Sequence, residues 1–89
     1  MKVILVATPR SGSMSVYKML RQRYSLDNNF FEIFNPATAN WKGSNTAFIL
    51  HQWEKWSNTE NSIAKIDPYH IYRRAPKVVA DKILNDMLI

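Results

Sequence analysis

The chain has 89 residues, with 12 Lys and Arg against 7 Asp and Glu, a formal charge of +5 and no cysteine. That length holds one small domain, residues 1–89, and the lack of cysteine excludes disulfides, zinc–thiolate centres and cysteine nucleophiles. No apolar run approaches the roughly 18 residues of a membrane span, and the short run after Met1-Lys2 does not read as a signal peptide, so a cytoplasmic protein is expected.

The basic residues are grouped. Arg10, Lys18, Arg21 and Arg23 lie early in the chain, and Arg73, Arg74, Lys77 and Lys82 lie near its end. Two basic clusters suit a ligand with two anionic groups, and they suit a nucleic-acid backbone as well.

Residues 2–7 are a continuous apolar run after one lysine, the pattern of a central parallel strand buried on both faces. Thr8-Pro9 ends it, because proline cannot donate to a sheet ladder. Residues 13–24 take helical periodicity, with Val16, Leu20 and Tyr24 on one stripe beside Met19, and with Ser11 or Ser13 as cap. Asp27-Asn28-Asn29 reads as a turn, and residues 30–34 as a short strand or one turn of helix closed by Asn35-Pro36. Residues 37–45 read as a loop anchored by Trp41. A second helix is predicted over 46–56, capped by Ser44 or Asn45, with Ile49, Trp53 and Trp56 sharing a face. Residues 62–66 form a strand closed by Asp67-Pro68, and residues 69–73 a short extended segment. The last helix is predicted over about 76–88, with Pro76 at its first position and Val79, Ile83 and Met87 on one stripe. This order predicts an α/β fold: a small parallel sheet of two or three strands flanked by helices.

The segment Thr8-Pro9-Arg10-Ser11-Gly12-Ser13, between strand and helix, carries the clearest chemistry. It places backbone N–H groups and hydroxyls at a helix N-terminus, a cradle for phosphate or sulfate. An ordinary Gly-x4-Gly-Lys-Ser/Thr nucleotide loop is not present, since the first glycine is missing and Ser13 stands where the lysine would be. The segment resembles the 5′-phosphosulfate loop of the sulfotransferases, a P-loop-like structure that wraps the sulfate-bearing phosphate of the sulfate donor PAPS. The resemblance implies that Arg10, Ser11, Gly12, Ser13 and Ser15 hold the 5′ end of PAPS or of its product PAP. Residues 71–79, around Arg74-Ala75-Pro76-Lys77, look like the same family's 3′-phosphate motif, a strand followed by a helix. Arg74 would hold the 3′-phosphate together with Lys82, which occupies the position of the family's serine.

Two departures qualify what the resemblance implies. Met14 stands where the family usually has a hydroxyl residue, and sulfotransferase domains continue well beyond the second motif into an acceptor-binding half. The expectation is therefore a nucleotide-binding module without the full catalytic apparatus.

His51 is a weak candidate for a catalytic base, since a lone helical histidine more often packs or faces solvent; His70 is similar. Asp67 and Glu32 could serve as base if geometry allows. No His, Cys, Asp and Glu spacing reads as a metal site. Trp41, Trp53 and Trp56 could stack a nucleobase, but the helical spacing of Trp53 and Trp56 reads more readily as core or as a protein-contact surface. A second function class stays open: a small basic non-catalytic protein, of the kind a virus places in a host cytoplasm, binding a host protein or nucleic acid.

Overall fold

The computed structural model describes residues 1–8, 12–38 and 40–88. In chain order these form β1 (Lys2–Val6), α1 (Ser13–Arg23), β2 (Asn28–Phe30), a 3-10 turn (Pro36–Thr38), α2 (Asn45–Ser57), β3 (Ser62–Ile66), α3 (Pro68–Arg74) and α4 (Lys77–Leu88). The three strands make one parallel sheet in the order β1-β3-β2, which bears out the expected α/β class. Among the described residues no helix is long and apolar enough to cross a membrane.

Parallel neighbours need crossover connections. The β1-to-β2 connection passes over β3 and the β2-to-β3 connection returns toward β1, so right-handed crossovers put α1 and α2 on opposite faces. The two apolar clusters follow this arrangement. On one face Tyr17 of α1, Leu26 and Ile63 pack with Val3, Leu5, Leu20 and Phe31. On the other face Phe48, Ile49 and Trp56 of α2, Ile71 of α3, and Ala80, Ile83, Leu84 and Met87 of α4 close over Ala64 and Ile66.

The expected central strand is at the edge. β1 pairs only with β3, and Val6 is exposed, whereas all five residues of β3 are buried. An apolar run reports that a strand is covered by helices; the strand order is set by pairing between distant segments. The N–H groups and carbonyls of residues 28–30 join the ladder of β3, so part of the expected Asn28-Asn29 turn is strand β2.

The buried face of α1 differs from the expected stripe. Ser13 and Tyr17 are buried and Leu20 partly so, while Val16, Met19 and Tyr24 are exposed. Tyr17 can turn inward because its hydroxyl is satisfied there: it donates to Asn29 Oδ1 on β2, with the Ile63 carbonyl 3.3 Å away. Burial pushes this hydroxyl up to about 12, against the lowering pull of Arg21. The ordinary tyrosine value is about 10, so the protonated hydroxyl contributes fully below about pH 10, and that contribution is lost as pH rises through about 12. Urea midpoints are expected to fall more steeply between about pH 10 and 12 in the wild type than in Tyr17→Phe. Parallel curves through that window would contradict this.

Ser44 is the N-cap of α2, its Oγ accepting from the Ala47 N–H at 3.1 Å, and Trp41 packs edge-on against Phe48 as an anchor for the preceding loop. Residues 69–73 are helical, not extended. Asp67 caps them, with Oδ1 accepting from the Tyr69 N–H at 3.0 Å, and Pro68 occupies the first turn where its missing N–H costs nothing. The polar alternation over these residues reads like a strand, and the cap overrides it.

Candidate functional site

In an open parallel sheet, ligand sites lie at the carboxyl ends of the strands. Here three segments meet that edge: residues 7 and 8 after β1, the turn after β2, and Asp67 after β3. The Ala7 N–H donates to the Ile66 carbonyl at 2.9 Å, so the β1–β3 ladder runs one residue past the strands and brings the start of the loop alongside Asp67.

Arg10 and Ser11, together with Pro9, lie outside the described residues. Gly12 is the N-cap of α1, with φ 77° and ψ 11° in the left-handed region, and among the described residues no side chain caps this end of the helix. A serine cap at residue 13 is therefore not what forms: Ser13 is the first helical residue and is buried, and Ser15 is exposed two positions on. The glycine is required by its backbone angle. Among the described residues nothing lies within 4 Å of where a Cβ would stand. The first turn carries no acidic residue, which leaves the partial positive charge of the helix end uncompensated.

Lys65 is the residue that the sequence reading missed. It sits on the central strand opposite Leu5, on the face covered by α1, and is 8% exposed. Its Nζ lies 5.0 Å from the Phe31 ring, and among the described residues no carboxylate pairs with it. Its stem is buried while its ammonium keeps some contact with solvent, so the charge is available to an anion. A lysine in the middle of an otherwise apolar strand was the available signal.

Asp67 is 6% exposed. Its Oδ1 is used by the α3 cap, while its Oδ2 is buried with no hydrogen-bond partner. Glu32, on the turn after β2, is held by Asn35, whose Nδ2 donates to its Oε2 at 3.1 Å. Of the two carboxylates named as candidate bases, Asp67 is the one directly after the central strand, and its Oδ2 has no hydrogen-bond partner among the described residues.

The remaining candidates lie apart from this edge. Arg74 ends a helix and not a strand, so the strand expected in the second motif is absent, and its Nη1 donates to the His70 carbonyl at 3.2 Å. Lys82 is exposed on α4, beside an open hollow it lines with Tyr72, Asp81 and Leu88. His51 is exposed on α2 and stacks on Trp41 at 5.5 Å. Trp56 is buried under Lys2, and Trp53 is half-buried with its Nε1 donating to Asp86 Oδ2 on α4 at 3.1 Å, so this tryptophan pair clasps α2 to the core and does not form an exposed face. No group of three or more potential metal ligands occurs among the described residues. Compared with known proteins, the chain matches no family model, no curated protein and no solved structure.

Proposed function

We propose that this chain is a sulfotransferase-like module that binds a phosphorylated nucleotide, PAPS or PAP, at the carboxyl edge of its sheet. The observation that carries the reading is Lys65, whose stem is buried beneath the helix that follows the TPRSGS loop and whose ammonium has no carboxylate partner among the described residues. In this reading the lysine of an ordinary nucleotide loop is replaced by one from the neighbouring strand. The N–H groups at the start of α1, with Arg10, Ser11, Ser13 and Ser15, take the 5′-phosphate, and Lys65 neutralises its charge. Arg74 and Lys82 remain the residues proposed for the 3′-phosphate.

Asp67 supplies the base. Its free Oδ2 takes the proton of an acceptor hydroxyl as the acceptor oxygen bonds to sulfur. The bond from sulfur to the 5′-phosphate oxygen breaks, and its electron pair leaves on PAP. The loop N–H groups and Lys65 stabilise that departing charge.

Thermal unfolding with PAP, PAPS, ATP and inorganic sulfate tests the reading. A ligand at 100 times its Kd adds about 2.7 kcal/mol. In a domain of this size that raises the midpoint by about 10 °C or more. PAP and PAPS are expected to do so and ATP and sulfate to do less, and Arg10→Ala is expected to remove the shift. No shift with PAP, or a shift that survives Arg10→Ala, overturns the nucleotide reading. The exposed Val16, Met19 and Tyr24 on α1 favour the second reading, a non-catalytic protein contact, and a failed PAP titration would leave that one standing.

A further inference from the structure

Beside Asp67 lies a group with no role so far. His70, one helical turn along α3, places its Nε2 3.8 Å from Asp67 Oδ2. Its Nδ1 is buried without a hydrogen-bond partner, as is that same carboxylate oxygen. Unpartnered buried polar atoms are costly in a packed interior, and of the two imidazole nitrogens it is Nε2 that lies near the carboxylate. The 3.8 Å separation is too long for a hydrogen bond, and a small side-chain rotation would close it. Catalytic hydrogen bonds are commonly long in the free protein and tighten when the ligand is bound.

The surroundings hold the pair in place. Asp67 Oδ1 is anchored by the Tyr69 N–H, so Oδ2 is the oxygen left without a bond, and a reactant reaches it once its present cover shifts. Ile71, next to His70, is fully buried and ties α3 to the core, and the Arg74 guanidinium donates to the His70 carbonyl. The imidazole is thus carried on a short, anchored helix beside the only free oxygen of the carboxylate.

We propose that His70 is the positioning residue for Asp67: its Nε2–H donates to Oδ2 and orients that oxygen toward the acceptor hydroxyl. This rests on the reading of Asp67 as the base. His70 touches neither nucleotide nor acceptor; it acts through the carboxylate. The proton passes from the acceptor O–H to Oδ2 as the acceptor oxygen bonds to sulfur, and the imidazole keeps its own proton.

The test uses PAPS with water as acceptor, reading release of PAP, alongside PAP binding by thermal shift. His70→Leu is expected to slow PAP release by about tenfold or more while leaving the PAP-induced shift in place. His70→Gln, whose amide reaches the position of Nε2, is expected to recover most of the rate. In an Asp67→Asn background, His70→Leu is expected to have no further effect, because the two act as a unit. Imidazole 15N spectra, which need no variant, are expected to place the proton of neutral His70 on Nε2. A His70→Leu rate equal to wild type overturns the proposal, as does a His70→Gln rate no better than His70→Leu, or a proton on Nδ1. PAP binding without any PAPS turnover overturns this proposal and leaves the nucleotide site intact. Absence of PAP binding removes the nucleotide reading itself.

Discussion

Phe48→Ala is expected to cost about 3–5 kcal/mol, a large part of the stability available to so small a domain. The ring is 1% exposed, sits on the inner face of α2, and meets Trp41 edge-on at 5.5 Å. Removing it takes away buried apolar area and leaves a cavity that its neighbours can refill only in part, because α2, the sheet and the Trp41 loop all close on this position. The thermal midpoint is expected to fall by about 12 °C or more. Met19→Ala is the matched control. Met19 belongs to the stripe that periodicity assigned to the core, but it is 54% exposed, and its truncation is expected to change stability by no more than about 0.5 kcal/mol. Urea denaturation of the two variants therefore checks both the core and the orientation of α1. Comparable losses from both would contradict the arrangement described here.

Lys65→Met is expected to separate packing from charge. The free protein should keep its stability to within about 0.5 kcal/mol, because an apolar chain of similar length fills the place of the buried lysine stem. The thioether keeps the contact with Phe31 that the ammonium now makes. PAP binding should weaken, since a charge-assisted hydrogen bond to phosphate is worth about 1.5–3 kcal/mol, or about 10-fold to 100-fold in affinity. A residue kept only for packing would leave PAP affinity unchanged. Unaltered PAP affinity would remove Lys65 from the site, and a loss of stability would show that its charge is satisfied in the free protein. Denaturation and calorimetric titration on one preparation measure both.

Much of the local structure is legible in the sequence. The apolar run of residues 2–7 and its Thr8-Pro9 stop predicted β1, and Ser44 before an apolar periodic segment predicted the start of α2. Ser62–Ile66 closed by Asp67-Pro68 predicted β3, and the Ile83–Met87 stripe predicted α4. Each of these signals acts over a few residues. The failures fall where the outcome depends on distant partners or on two competing local signals. The Tyr69–Arg73 alternation suited a strand, but the Asp67 cap and Pro68 favoured a helix.

For the site, the loop around Gly12 and Ser13 could be found from its lettering and its place between strand and helix. Asp67 could be named as a base, although the free state of its Oδ2 could not be known. Lys65 went unnoticed because its isolation from any carboxylate becomes visible only when its neighbours on other segments are in place. The α/β class, most of the elements and the loop are legible in the residue order alone, because periodicity, caps and breakers are properties of neighbouring residues. That β3 is central, that α1 turns Tyr17 and not Val16 inward, and that Lys65, Asp67 and His70 lie toward the carboxyl end of β3 follows from the assembled fold. Those outcomes come from pairing and packing between segments up to 60 residues apart, Lys2 against Ser62 among them, where local propensity carries no information.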